Sequence, residues 1–139
     1  MNNQRIIYPT PDGGIAIIIS TGELPIEEVA AKDVAAGVPY KIIDASEIPT
    51  DRTFRAAWVY SPDGIEIDLD RAKAIAHDIR RRRRADELAP HDRVISLRIP
   101  GASADQAEAA RAAIRERYSI MQTAIDAAKT VDAIHAALN

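Results

Sequence analysis

Hydrophobic and polar positions follow different periods in the two halves of the chain. The β-branched runs Arg5–Tyr8 and Ile15–Ile19 flank residues 9–14, Pro-Thr-Pro-Asp-Gly-Gly, which predicts an antiparallel hairpin. A short helix is expected over Pro25–Val34 and a third strand over Val38–Asp44. The Asp-Gly-Gly turn is not a phosphate loop, because neither a Lys-Ser/Thr pair nor a helix follows it.

A second hairpin is predicted around the turn Ser61–Gly64. The strand before it would place Phe54, Ala56, Trp58 and Tyr60 on one face, and the return strand would place Ile65, Ile67 and Leu69 inward. Because the chain has few other aromatic residues, the pattern favours Phe54 and Trp58 as core residues. The alternative is an exposed platform on which nucleic-acid bases stack.

The second half has the spacing of amphipathic helices. One helix is expected over Arg71–Ala89, ended by Pro90, and residues 91–99 form either a strand or a buried loop. Ser103 caps a helix of about 25 residues, and Thr130 caps a last short one. The apolar seam of the long helix consists of Ala107, Ala110, Ile114, Tyr118, Met121, Ile125 and Ala128.

These elements predict an α+β fold. A small N-terminal antiparallel sheet, residues 1–69, precedes an antiparallel helical hairpin with a short terminal helix, residues 70–139, and the two segments form one compact domain. Two helices cannot cover their own apolar seam, so either the sheet or another subunit must hide it. We therefore predict a homo-oligomer that associates through Ile114, Tyr118, Met121 and Ile125.

Composition describes an ordinary soluble globular chain. Its 139 residues are 47% hydrophobic and 28% charged, and neither a signal peptide nor a membrane span is recognisable. The absence of cysteine excludes disulfides, thiolate metal sites and Cys nucleophiles. The sequence thus predicts a soluble, intracellular protein.

Charge is distributed unevenly along the chain. Residues 1–70 hold five Lys and Arg against 12 Asp and Glu, whereas residues 71–139 hold 13 against nine. This asymmetry indicates either a basic binding face or two segments, of one molecule or of neighbouring subunits, that dock on each other.

The arginine run Arg80–Arg84 is the densest charge in the sequence. Continuing the stripe from Ile79 predicts that Arg83 turns inward, flanked by Arg82, and that Arg80, Arg81 and Arg84 face outward. One interpretation is a solvated helix end that bonds carboxylates of the acidic half. The other is an anion site, to which Arg55 also contributes, for RNA, DNA, a nucleotide or an acidic partner.

Catalytic motifs are missing from the sequence. The histidines His77, His91 and His135 match no metal spacing, and no serine lies in a Gly-x-Ser-x-Gly context. The carboxylates Glu66, Asp68 and Asp70 share a strand face that could chelate a divalent cation, although a solvated face explains them better. We therefore predict no enzyme, no metal and no cofactor.

Several segments together resemble a family of small phage and prophage proteins encoded among tail genes, described as tail-fibre-assembly or tail-assembly-chaperone-like. The resemblance rests on the following segments: Arg5–Pro9 with Asp12–Gly14, Gly37–Tyr40 with Ile42–Asp44, Asp51–Trp58, Ile67–Lys73 before the arginine-rich helix, and Ile125–Thr130. It implies a phage origin, a place in the infected or lysogenic bacterium or in the virion, and no catalysis.

Two functions are compatible with these observations. The first is an assembly or structural factor that binds a tail or tail-fibre protein through the helical seam and the hairpin of Phe54 and Trp58. The second is an anti-defence protein that sequesters an anionic nucleotide signal with Arg55 and the arginine run.

Overall fold

The computed structural model describes residues 3–139 and confirms the α+β class. The chain divides into two compact units between Asp68 and Leu69, which we call the β unit and the helical unit. The β unit contains β1 Gln4–Pro9, β2 Ile15–Ile19, α1 Ile26–Asp33, β3 Lys41–Asp44, β4 Trp58–Ser61 and β5 Gly64–Ile67, with 3₁₀ turns at Ala45–Glu47 and Arg55–Ala57. The helical unit contains α2 Leu69–Leu97, α3 Ala104–Ala127 and α4 Val131–Leu138.

The β unit holds two antiparallel sheets. In the first, β1 lies between β2 and β3, with Ile7 opposite Ile17 and Lys41. In the second, β4 pairs with β5 across a turn in which Gly64 has a φ of 131°, a value that favours glycine. Both predicted hairpins are therefore present, although they belong to separate sheets.

Alternation along β1 directs its side chains into two apolar clusters. Ile6 is buried with Ile26 and Ala30 of α1 and with Val34, the residue that follows α1. Ile7 points to the opposite face and is buried with Ile15, Ile43 and Trp58. The sheet therefore has a core on each side, which explains its continuous isoleucine runs.

The segment before β4 corrects the predicted strand. Residues Arg55–Ala57 form a 3₁₀ turn, with the Ala57 N–H donating to the Phe54 carbonyl at 2.8 Å, and the strand begins at Trp58. The two alanines of Arg-Ala-Ala have little preference for a strand. Phe54 and Trp58 are nevertheless buried, so the core interpretation is confirmed and the stacking platform is wrong.

Helix α2 continues through Pro90 to Leu97, so the predicted end at Ala89 is wrong. A proline inside a helix costs about 3 kcal/mol, and here contacts with α3 offset that cost. Asp92 Oδ1 lies 2.8 Å from Arg111 Nε, and Val94 and Ile95 are half-buried. Residues 91–97 are therefore helical rather than a strand or a buried loop.

The remaining helices begin where the sequence predicts. Ser103 accepts from the Gln106 N–H and Thr130 from the Ala133 N–H, both at 3.1 Å. These caps satisfy backbone donors that the first helical turn leaves free.

Helix α4 explains why the α3 seam is not an interface. It packs against both α2 and α3 and buries its own Ile134 and Leu138. The seam residues Ile114, Tyr118 and Ile125 are buried within the chain and Met121 is half-buried. Buried side chains cannot meet a second molecule, so the predicted self-association through this seam is wrong, as is partner binding through Phe54 and Trp58.

Replacing Arg83 with alanine is expected to lower the melting temperature modestly. Arg83 Nη1 donates to the Leu138 carbonyl at 2.6 Å and so holds the C-terminal end of α4, where the helix dipole favours a cation. Losing this bond should cost about 0.5–1.5 kcal/mol, measurable by thermal unfolding followed at 222 nm. The exposed neighbour Arg82, changed to alanine, is the control; equal melting temperatures for both variants would contradict the assignment.

A candidate anion-binding site

A cavity of about 350 Å³ lies between α2 and α3 of the helical unit. Helix α2 contributes arginines from three positions of the run, and α3 contributes a fourth arginine together with neutral polar groups. The lining residues, which define the arginine cavity, are Arg80, Arg81, Arg84, Arg115, Tyr118, Ser119 and Gln122. Such a lining offers hydrogen-bond donors and positive charge in excess of acceptors.

Arg80 is the most buried charged side chain of this cavity, with 7% of its surface exposed. Its Nε donates to His77 Nδ1 at 3.2 Å, and no carboxylate among residues 3–139 forms an ion pair with it. The sequence placed Arg80 outward, which is wrong, and Arg83 inward, whereas Arg83 is an exposed residue whose guanidinium reaches the end of α4. The buried line of α2 runs through Ala72, Ala76 and Arg80, whereas the prediction extended the line of Ile79.

His77 orients the Arg80 guanidinium. Because His77 Nδ1 accepts from Arg80, the imidazole proton resides on Nε2, which lies 2.7 Å from Asp126 Oδ1. Asp126 itself is exposed, and its carbonyl accepts from Lys73 Nζ at 2.9 Å. The chain Asp126–His77–Arg80 therefore fixes Arg80 through its Nε and leaves the two terminal nitrogens for the cavity.

The surroundings of Arg80 disfavour the positive charge of its guanidinium. Burial lowers the pKa of Arg80, and the positive charges of Arg81 and Arg84 lower it further, while Asp126 opposes them. A guanidinium stays protonated at all ordinary pH values, so the protein keeps this buried charge at a cost in free energy. A bound anion would lower that cost.

The other arginines of the cavity differ in their partners. Arg81 Nη1 lies 2.8 Å from Asp78 Oδ1, and Arg115 Nη1 lies 3.2 Å from Glu108 Oε1. Arg84, half-buried and one helical turn from Arg80, forms no ion pair with any residue in 3–139. Arg80 and Arg84 are thus two neighbouring guanidiniums whose charge the protein leaves uncompensated.

Tyr118 forms a fixed wall of the cavity. The neighbouring Tyr118 hydroxyl lowers the pKa of the Glu87 carboxyl, and Arg117 lowers it further. Burial, followed by the Glu87 contact, raises the pKa of Tyr118, so the phenol stays neutral. Because Tyr118 is buried, it shapes the cavity rather than binding a ligand.

Arg55, the fourth residue predicted to bind an anion, belongs to the β unit and does not line the arginine cavity. Its guanidinium lies 4.8 Å from the centre of the Trp58 ring, and its Nη2 donates to the Ile15 carbonyl at 3.2 Å. These contacts give Arg55 a structural role and correct its assignment to the anion site.

Sequence reasoning found three residues of the cavity, Arg80, Arg81 and Arg84, and missed those on α3. Arg115, Ser119 and Gln122 lie one helical turn apart beside the seam position of Tyr118, a spacing visible in the sequence. The sequence does not reveal how α3 is aligned along α2. This alignment is what makes Arg115, Ser119 and Gln122, together with Tyr118, face the arginine run.

Residues 3–139 contain neither a cluster of metal ligands nor a membrane-spanning helix. No group of three or more histidine, aspartate or glutamate side chains there is placed to hold a metal ion, Glu66, Asp68 and Asp70 included. Within the same residues, no helix combines the length and apolarity needed to cross a membrane.

Comparison with known proteins gives no relative. No family model, no curated protein and no solved structure matches the chain. The resemblance to phage tail-cluster proteins therefore stays a prediction, and the candidate function rests on the geometry of the cavity.

Proposed function

We propose that this protein is a non-catalytic binding protein whose arginine cavity holds a phosphate-bearing ligand. The observation that carries the proposal is Arg80, a buried guanidinium without a carboxylate partner whose terminal nitrogens remain for the cavity. Leaving a buried charge uncompensated is costly, and strained charges of this kind concentrate at functional sites.

The chemistry of the lining favours phosphate over other anions. Arg80 and Arg84 can each present a planar fork of N–H groups to one tetrahedral anion, and Ser119 and Gln122 add neutral hydrogen-bonding groups. The only aromatic residue of the lining is Tyr118, which is buried, so a base would find no exposed ring on which to stack. A nucleotide would therefore be recognised chiefly through its phosphates.

The lining also supports a binding role rather than catalysis. It contains neither a carboxylate nor a histidine, so a general base for hydrolysis is not supplied by its side chains. Sequestration of an anionic nucleotide, the second function considered from the sequence, matches this arrangement.

The assembly-factor function remains a prediction that needs another surface. The residues first assigned to it, Phe54, Trp58, Ile114, Tyr118 and Ile125, are buried. The phage setting, with a place in the bacterial cytoplasm or the virion, is likewise a prediction from the resemblance.

Titration calorimetry with pyrophosphate and with ATP at low salt tests the proposed function. We expect saturable binding of both, weakened by salt. Arg84→Gln should reduce the affinity by about tenfold to a hundredfold, because a charge-assisted hydrogen bond contributes about 1.5–3 kcal/mol. Arg93→Gln, an exposed position of α2 outside the cavity, is the matched control. Absence of binding at millimolar ligand, or equal losses in both variants, would refute the proposal.

A further inference from the structure

The three-stranded sheet has two edges of different character. Edge strands carry unpaired N–H and C=O groups and attract other strands unless they are short, charged or covered. Strands β2 and β3 are the edges, since β1 lies between them.

Hydrogen bonds at the strand ends show which groups of β2 point outward. The Thr10 N–H donates to the Gly14 carbonyl, so Thr10 and Gly14 form a hydrogen-bonded pair. Pairs of this kind recur at every second residue of an antiparallel ladder. In the observed register, Ile15, Ile17 and Ile19 therefore direct their N–H and C=O groups away from β1.

The edge of β3 is short and is partly occupied by its own chain. Its Asp44 N–H points outward and donates to Glu47 Oε2 at 2.8 Å, and Asp44 Oδ1 accepts from the Ser46 N–H. The strand carries charge at both ends, Lys41 and Asp44, and a 3₁₀ turn follows at once. These features disfavour the addition of another strand at β3.

The edge of β2 is open along most of its length. One outward group, the Ile15 carbonyl, accepts from Arg55 Nη2. The outward groups of Ile17 and Ile19 have no hydrogen-bond partner among residues 3–139. The Ile19 side chain is 69% exposed, and the strand contains neither a charge nor a proline.

We propose that the open edge of β2 pairs with β2 of a second copy of this chain, antiparallel and about a two-fold axis at Ile17. Ile17 then faces Ile17 of the second copy, and Ile15 faces Ile19. The outward N–H and C=O groups of both strands are satisfied by this pairing, and the two sheets join into one.

A second copy fits this edge for three reasons. Every position of β2, Ile-Ala-Ile-Ile-Ile, is apolar. A strand that pairs with β2 therefore needs apolar side chains on both of its faces, and β2 of a second copy has them. The pairing also places exposed Ile19 within the extended sheet, opposite the backbone of Ile15 of the second copy. Finally, the charged ends of β3 and the turn after it disfavour pairing at the other edge of this sheet, so pairing through β2 closes as a dimer instead of extending the sheet into a filament.

Cysteine cross-linking tests the pairing directly, because the chain has no cysteine of its own. In Ile17→Cys the two thiols would lie on the axis, with Cα atoms about 5.5 Å apart, a separation that a disulfide spans. Dilute protein under mild oxidation should give a disulfide-linked dimer. Ile120→Cys, 62% exposed on α3, is the control and should stay mostly monomeric. Equal cross-linking of the two variants would overturn the proposal.

Sedimentation equilibrium provides the second test. The unmodified chain should form a dimer, and Ile19→Lys should raise its dissociation constant about tenfold or more, since pairing would desolvate the ammonium group. Ile120→Lys should leave the constant unchanged. A chain that remains monomeric at high micromolar concentration, or a dimer that only Ile120→Lys weakens, would show that β2 does not pair with a second copy.

Discussion

Replacing Arg80 with methionine should raise the melting temperature of the free protein and abolish its binding of pyrophosphate. Methionine has a similar volume and suits irregular apolar sites, while the variant loses a buried charge that Arg81 and Arg84 repel. Replacing buried ionic groups by apolar ones can stabilise a protein by about 1–4 kcal/mol. The lost hydrogen bond to His77 places the expected gain at the lower end of that range.

Thermal unfolding with and without pyrophosphate measures both effects. The unmodified protein should gain stability from the ligand, by about 2.7 kcal/mol at a concentration one hundred times Kd, whereas Arg80→Met should gain none. Arg81→Met, at an exposed position paired with Asp78, is the control and should change the melting temperature little. If Arg80→Met melts lower and still binds pyrophosphate, Arg80 is a structural residue and not the centre of the site.

Trp58→Ala should destabilise the β unit by about 3–5 kcal/mol, the usual cost of truncating a buried aromatic side chain to alanine. The indole is 1% exposed and fills the cluster of Ile7, Ile15 and Ile43. Its ring also lies beneath the guanidiniums of Arg52 and Arg55, at 5.8 and 4.8 Å from its centre. The substitution therefore removes two cation–π contacts together with the packing.

Hydrogen–deuterium exchange in peptides that cover β1 and β2 measures this effect, because these strands carry the rest of the cluster. Protection there should fall by several orders of magnitude in Trp58→Ala and much less in Trp58→Phe, which retains a ring. Unchanged protection in Trp58→Ala would show that the cluster does not depend on the indole.

The sequence predicted those elements whose local pattern and tertiary setting agree. The turn at Ser61–Gly64 and the caps Ser103 and Thr130 were predictable, because each depends on a few neighbouring residues. The β1–β2 hairpin was predictable because alternation and turn residues indicate the same structure. In the turn, the caps and the hairpin alike, distant contacts reinforce the structure that the local sequence prefers.

Prediction failed where distant contacts override a local rule. Pro90 normally ends a helix, but the Asp92–Arg111 ion pair and half-buried apolar residues hold residues 91–97 on α3. Likewise, five consecutive arginines cover all sides of a helix, so only the packing of α2 selects the one that is buried. The candidate anion site was therefore visible as a run of charge but not as the pair Arg80 and Arg84.

Pro90 divides α2 into two segments that can unfold separately. Without an N–H at this position, the Asp86 carbonyl lacks its usual intrahelical donor, so the hydrogen-bond ladder is interrupted between the arginines and the helix end. Cooperative segments separate where such bonds are missing. Fraying that starts at exposed Leu97 should therefore stop at the proline. The arginines that line the cavity can then remain ordered while the last turns of α2 exchange rapidly with solvent.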